Sequence, residues 1–168
     1  MGEIKRKRKK YARPRKLFDR ARIDAENLIV EEYGLKNKRE IWKATSKVSK
    51  LRSRAKELIR ASNEEQKSYF DKLNKLGLNI KEISDVLALT EKDLLERRLQ
   101  TVVYKKGLSN SVKQARQLIV HKHVLVDGCA VNAPSFWVEK DLENKITLKP
   151  RKEKKIEVES KQEEVEEE

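Results

Sequence analysis

Apolar residues recur at helical spacing through the first half of the chain. Over residues 37–62 they fall on one side at about 100° per residue; these positions are Ile41, Val48, Leu51, Ala55, Leu58 and Ile59. The same period is present over 23–34 and over 64–77, and both segments end on a glycine, as helices commonly do. A further short helix is expected over 80–90. The pattern therefore predicts a helical domain over residues 23–90.

Two more helices are predicted beyond this domain. Thr90, with Asp93 three residues later, resembles a capping box that opens a helix over residues 91–106. Ser111 and Gln114 repeat the signal and open the second helix.

A β-hairpin is predicted after these helices. The β-prone runs "HVLV" and "CAVN" flank Asp127-Gly128, a dipeptide favoured in type I′ turns. The run "KITL" at 145–148 offers a third strand. Residues 91–149 are therefore expected to form a module of two helices and about three antiparallel strands, and the fold class is α+β.

The charge of the chain indicates what kind of partner it binds. Of the 168 residues, 41% are charged and 37% are hydrophobic, and the net charge is +13. Such an excess predicts a polyanionic partner, either a nucleic acid or an anionic membrane surface. Residues 1–22 hold eleven Lys or Arg and two acids, which is typical of a basic arm that orders on a polyanion or, alternatively, only aids solubility. The charged, Glu-rich residues 150–168 are expected to be a disordered tail.

Several classes of function are disfavoured by the residues that are scarce. No run of about 18 apolar residues exists to span a bilayer, and the basic N-terminus lacks the apolar core of a secretory signal. Cys129 is alone and the only histidines are His121 and His123, so we predict no disulfide, no metal site and no cofactor. No nucleophile and base pair stands out, so we predict no enzyme activity and no small-molecule substrate.

One face of the long helix carries only cations. Four of them are spaced four, three and four residues apart, with no acid among them; they are Lys43, Lys47, Lys50 and Arg54. Because such a row repels itself, we interpret it as phosphate-binding, with an ordinary solvated face as the alternative. Arg13 and Arg15 of the basic arm are further candidates for RNA binding.

A second set of candidates gathers where the second helix of the module meets the hairpin. Its members are Arg98, Lys113, Arg116, Gln117, Lys122 and His123. Arginine can bind phosphate through two bonds, and a histidine can donate a hydrogen bond or stack on a base. For His121 a partly buried structural role is equally open, whereas Tyr104, Phe136 and Trp137 are interpreted mainly as packing residues.

A family resemblance supports the RNA interpretation. The stretch "RRLQTVVYKKGLSNSVKQARQLIVHKHVLVDGCAVNAPSFWV" resembles the S4-type RNA-binding domain, with the Gly107 break, the Asp-Gly hairpin and Pro134-Ser135 in order. The stretches "KRKRKKYARPRK" and "YGLKNKREIWKA" resemble the archaeal and eukaryotic branch of the ribosomal S4 proteins themselves. The resemblance covers most of residues 4–149.

The resemblance implies a structural constituent of the small ribosomal subunit, located on ribosomes in the cytoplasm. Such a protein binds small-subunit rRNA at a multi-helix junction, nucleates assembly of the subunit body and contributes to translational accuracy. Its partners would be rRNA and neighbouring ribosomal proteins, without a membrane and without an obligate homo-oligomer. The alternative is a free RNA-binding regulator or a ribosome quality-control factor that uses the same module. A purely protein-binding scaffold leaves the charge without a partner.

Overall fold

The computed structural model describes residues 9–150. Its elements in chain order are α1 (Arg20–Glu32), α2 (Lys38–Leu58), α3 (Asn63–Lys75), α4 (Ile83–Ala88), α5 (Glu91–Glu96), α6 (Leu99–Lys105), α7 (Val112–Val120), β1 (Val124–Val126), β2 (Cys129–Ala130), α8 (Lys140–Glu143) and β3 (Ile146–Leu148). The predicted α+β class is confirmed. None of the helices in this part of the chain is long and apolar enough to cross a membrane.

The long helix α2 organises the helical region. Its buried positions are Ile41, Ala44, Val48, Ala55 and Leu58, and the last of these ends the helix. Ile59, predicted to be apolar core, is 55% exposed because it lies beyond this end. In the segment 23–34, Tyr33, the residue after α1, is buried, whereas Leu28 on α1 is 69% exposed although the helical period placed it among the apolar positions. Helix α1 is attached to α2 by Glu26, whose Oε1 accepts hydrogen bonds from Arg22 (2.6 Å) and Trp42 (3.0 Å).

The prediction of one continuous helix over residues 91–106 is wrong. The chain leaves helical geometry at Arg97 and Arg98, which separates α5 from α6. At this break the Val138 amide donates to the Arg97 carbonyl (3.1 Å), and the Leu99 amide donates to the Phe136 carbonyl (2.8 Å). Backbone pairing with a segment forty residues away therefore replaces helical hydrogen bonds, which local propensity does not reveal.

The C-terminal module closes as a small antiparallel sheet in the order β2-β1-β3. Val126 faces Cys129 across the hairpin, and Val124 faces Leu148 on the other side. Asp127 (φ 51°) and Gly128 (φ 78°) have the two positive φ angles that a type I′ turn requires, so the predicted hairpin is confirmed. The antiparallel pairing of β1 with β3 confirms the predicted third strand. Helices α6 and α7 cover the sheet and share one apolar core with it.

Three details of the extensions and side chains differ from expectation. Helix α1 begins at Arg20, inside the interval assigned to the basic arm. Tyr104, interpreted as a packing residue, is 43% exposed. His121 is exposed, so the structural role left open for it is not supported. The first part of the basic arm (1–8) and nearly all of the Glu-rich tail (151–168) lie outside the described residues.

Candidate nucleic-acid interface

A cleft of about 800 Å³ lies between α2 and the C-terminal module. We call it the basic cleft, and its lining residues are Lys9, Lys10, Glu40, Lys43, Ala44, Ser46, Lys47, Lys50, Leu94, Leu95, Arg98, Arg116, Pro134, Ser135 and Trp137. Seven of these side chains are cationic and one is a carboxylate. Both walls are charged: lysines of α2 face the two arginines of the module.

Glu40 joins the two walls. Its Oε2 lies 2.5 Å from Nη2 of Arg98, and its Oε1 lies 3.0 Å from Nη2 of Arg116. Burial raises the pKa of the Glu40 carboxyl, but the hydrogen bonds from Arg116 and Arg98 outweigh it, so this pKa lies below its ordinary value. Glu40 is therefore ionised at neutral pH and fixes both guanidinium groups.

Trp137 and Lys47 form a second connection across the cleft. The Lys47 ammonium lies 3.1 Å from the centroid of the Trp137 ring, a cation–π contact. Burial lowers the pKa of Lys47, and the nearby charge of Lys10 lowers it further. Lys47 thus carries its charge over the Trp137 ring at the edge of the cleft and remains exposed to solvent.

The basic arm borders the cleft. The Ala12 amide donates to Oγ of Ser46 (3.1 Å), and the Tyr11 ring lies 6.1 Å from the Trp42 ring. Through these contacts Lys9 and Lys10 reach the cleft. Residues 9–12 are thus packed on α2.

The joint between α5 and α6 holds the two parts of the molecule together. Gln100 is buried, and its Nε2 donates to the carbonyls of Tyr33 (3.2 Å), Gly34 (3.0 Å) and Val112 (3.1 Å). Arg97 donates to the Leu76 carbonyl (3.2 Å) at the end of α3.

Gly77 leaves the space that the Arg97 side chain needs at the end of α3. A Cβ on Gly77 would lie 2.4 Å from the Arg97 guanidinium carbon, and Gly77 has a φ of +79°. Arg97, Arg98 and Gln100 thus bond to three different parts of the helical region, namely the end of α3, α2 and the end of α1.

The predicted site residues fall into three groups. Five line the basic cleft: Lys43, Lys47, Lys50, Arg98 and Arg116. Arg98 is buried and bonded to Glu40, so its guanidinium supports the cleft rather than presenting itself to solvent. Four others are exposed on α7 and the turn after it, a set we call the helix–hairpin joint: Lys113, Gln117, Lys122 and His123. The third group lies elsewhere: Arg54, which pairs with Glu57, and the exposed Arg13 and Arg15.

Sequence reasoning missed the residues that assemble the cleft. Glu40 precedes the row of cations by three residues, so it lies on the same face of α2. An acid at the head of an otherwise cationic row was the available signal for an internal partner. Arg97 and Gln100 gave no such signal, because their partners are backbone carbonyls distant in sequence.

A family model of the S4 domain matches residues 97–143, which begin at the α5–α6 joint. The small ribosomal subunit protein uS4 of Saccharolobus solfataricus (strain P2) is 48% identical over 153 residues, covering 87% of this chain and 84% of that protein. The uS4 protein of Saccharolobus islandicus (strain L.S.2.15) is 46% identical with the same coverage. The chain belongs to the uS4 family.

Membership of the uS4 family agrees with the prediction that the chain is not an enzyme, since these relatives are named as ribosomal proteins. The S4 domain match confirms the predicted resemblance, and the relatives extend it over most of the chain. Between residues 9 and 150, no three His, Cys, Asp or Glu side chains are grouped so as to hold a metal ion.

Proposed function

We propose that this protein is a structural constituent of the small ribosomal subunit and binds small-subunit rRNA directly through the basic cleft. Membership of the uS4 family supports the ribosomal assignment. The observation that carries the binding proposal is the convergence of seven cations from α2, the arm and the module on one concave surface.

The shape of the cleft suits RNA backbone from more than one strand. A-form RNA hides its major-groove edges, so proteins bind it mostly by shape and by phosphate and sugar contacts. A multi-helix junction brings phosphates of several strands close together, and a cleft with cations on both walls can neutralise them simultaneously. By fixing such a junction the protein would nucleate assembly of the subunit body in the cytoplasm. Through neighbouring ribosomal proteins it would contribute to translational accuracy.

The predicted residues have different roles in this proposal. Lys43, Lys47 and Lys50 supply point charges for phosphates. Arg116 lines the cleft with a guanidinium that Glu40 orients, and the buried Arg98 positions Glu40. The helix–hairpin joint, together with Arg13, Arg15 and Arg54, adds contacts outside the cleft.

A competition titration tests the proposal. The protein is titrated against a transcript of the 5′ domain of small-subunit rRNA, with bulk transfer RNA as competitor, over a salt series. We expect binding that survives the competitor, weakens steeply with salt, and becomes measurably weaker, without being abolished, in Lys43→Ala/Lys50→Ala. The matched control, Lys67→Ala/Lys72→Ala, removes two exposed cations from α3 and should bind like the unchanged protein. Equal competition by transfer RNA, with no difference between the two variants, would contradict the proposal.

Sedimentation separates the ribosomal role from that of a free regulator. The protein should travel with small subunits in a density gradient at moderate salt. Recovery only in the light fractions, or on large-subunit particles, would support the free regulator or quality-control factor.

A further inference from the structure

The basic cleft has a charge surplus that the described protein does not neutralise. Within residues 9–150, Glu40 is the only acid that lines it, and both of its oxygens are bonded to arginines. No carboxylate of these residues lies within 4.0 Å of Lys43, Lys47 or Lys50. Such a positively charged cleft attracts polyanions, and most strongly the one with the highest local concentration.

The chain itself carries a polyanion of matching charge. Residues 156–168 contain seven glutamates and one lysine, a net charge of −6. The cleft has seven cations and one carboxylate, a net charge of +6. We call residues 156–168 the Glu-rich segment. Its charge is opposite and equal to that of the cleft.

The place where the described chain ends puts this segment within reach of the cleft. The Lys149 amide donates to the His123 carbonyl (2.8 Å), so the chain leaves the module beside the start of β1. Arg116, which lines the cleft, lies on α7, and the helix rises about 7.5 Å over the five residues from Arg116 to the C-cap His121. The eighteen residues after Pro150 can span up to about 60 Å when extended.

We propose that the Glu-rich segment occupies the basic cleft of its own chain when no RNA is bound, and that RNA must displace it. The inference rests on the proposed function of the cleft as an RNA surface. Its glutamates replace phosphates beside Lys43, Lys47 and Lys50. Because the segment is tethered, its local concentration is on the order of millimolar, so even weak contacts fill the cleft. The segment thus makes every ligand that needs the cleft bind more weakly.

The competition has a distinct signature in RNA binding. Removing residues 156–168 should tighten binding of the rRNA transcript by about tenfold at low salt, given millimolar effective concentration and a weak segment–cleft contact. The gain should vanish at high salt, where both sets of contacts are screened. A full-length variant with all seven glutamates changed to glutamine should show the same gain.

A double-mutant comparison locates the effect. In the Lys43→Ala/Lys50→Ala background, removal of the segment should change affinity less than twofold, because the segment has lost its site. In the Lys67→Ala/Lys72→Ala background the tenfold gain should remain. An equal gain in both backgrounds would mean that the segment acts by net charge alone, and it would overturn the proposal.

An RNA-free measurement tests the docking even if the protein proves not to bind rRNA. A carbodiimide joins carboxylates to amines that touch, and mass spectrometry identifies the pairs. In the unchanged full chain we expect glutamates of the segment to be joined to Lys43, Lys47 and Lys50, and not to Lys67 or Lys72. Links spread evenly over surface lysines would overturn the proposal. So would links found only between chains in a mixture of isotope-labelled and unlabelled protein, since the occupant would then be a second copy.

Discussion

The basic cleft and the helix–hairpin joint both carry cations, but the two regions hold them differently. In the cleft, Glu40 fixes Arg98 and Arg116, and the Trp137 ring fixes Lys47. At the joint, Lys113, Lys122 and His123 are exposed, and the described structure shows no hydrogen bond from their side chains to another residue. The cleft is concave and built from both parts of the chain, whereas the joint belongs to the module alone.

The difference concerns the cost of ordering side chains. A cation that is already held loses little conformational freedom when it meets a phosphate, so its contact adds more to affinity and to geometric selectivity. A free surface lysine also attracts RNA, but it attracts any other polyanion equally well and so adds no selectivity. We therefore expect the cleft to discriminate between RNAs and the joint to raise affinity for all of them.

The largest expected effect comes from removing the acid that assembles the cleft. Glu40→Ala leaves the Arg98 side chain, which is 7% exposed, without its partner. Losing one member of a buried pair typically costs about 3 kcal/mol of unfolding free energy. Glu57→Ala, which breaks the exposed pair with Arg54, should cost less than about 1 kcal/mol. Urea unfolding measures both, and equal losses would mean that the cleft is not held as described.

The second-largest loss of stability is expected for Gln100→Leu. The substitution leaves three carbonyls without their donor at the contact between α1, α6 and α7. We expect a loss of about 2 kcal/mol, since a buried polar group without a partner costs roughly that much. Gln117→Leu at the exposed joint is the matched control and should stay within about 0.5 kcal/mol. Similar stabilities of the two variants in thermal unfolding would contradict this assignment of Gln100.

Glu40 also predicts a pH dependence. Its folded-state pKa lies below the ordinary 4.5 because of Arg116 and Arg98, despite burial. The ionised carboxylate therefore adds its full stability above the unfolded pKa, and this contribution is lost as the pH falls through the folded pKa. In Glu40→Gln the decline of unfolding free energy below about pH 4.5 should be shallower than in the unchanged protein. Parallel curves would show that Glu40 is not ionised in a paired state.

Lys43 and Lys50 are exposed like the lysines of the helix–hairpin joint, but they lie on the concave surface beside Arg116, which Glu40 holds, so the two lysine pairs should separate specific from general binding. Lys43→Ala/Lys50→Ala should lower the preference for the rRNA transcript over transfer RNA by at least about tenfold, the size of roughly 1.4 kcal/mol. Lys113→Ala/Lys122→Ala should lower the affinity for the rRNA transcript and for transfer RNA by similar factors. Each pair should reduce the salt slope by about 1.5, because two phosphate contacts are lost. If Lys113→Ala/Lys122→Ala lowered the preference for the rRNA transcript more than Lys43→Ala/Lys50→Ala does, the helix–hairpin joint and not the cleft would discriminate between RNAs.

The smallest effect on stability is expected at Lys47. Lys47 is exposed and forms no ion pair among the described residues, so its charge adds little to folding. Lys47→Met, which keeps the apolar stem over Trp137, should change unfolding free energy by less than about 0.5 kcal/mol. It should nevertheless weaken rRNA binding several-fold, as measured by filter binding. A large loss of stability with unchanged binding would make Lys47 a structural residue.

Elements that depend on local sequence could be predicted. The period of α2, the turn residues Asp127-Gly128 and the third strand each have signals within a few residues, and the structure contains all of them. The break at Arg97 and Arg98 could not be predicted, because it is stabilised by pairing with residues 136–138. Propensity does not report such distant backbone partners.

The candidate site was predictable in its charges but not in its shape. The row of lysines on α2 and the cations of the module were found separately, since each has a pattern of its own. Their meeting in one cleft depends on Glu40, Gln100 and Arg97, which act through contacts distant in sequence. For the same reason, the burial of Arg98 had no signal in the sequence.

The most direct test of the cleft is to cut the RNA from a probe placed inside it. Ser135 lines the cleft and is exposed, and Ser68 is exposed on α3. With Cys129→Ser removing the native thiol, Ser135→Cys and Ser68→Cys would each carry an iron–EDTA tether that generates hydroxyl radicals. In complexes formed with unchanged affinity, we predict strong cuts clustered on several rRNA strands from position 135, and weak or no cuts from position 68. Strong cuts from position 68 alone would place the RNA elsewhere and contradict the account.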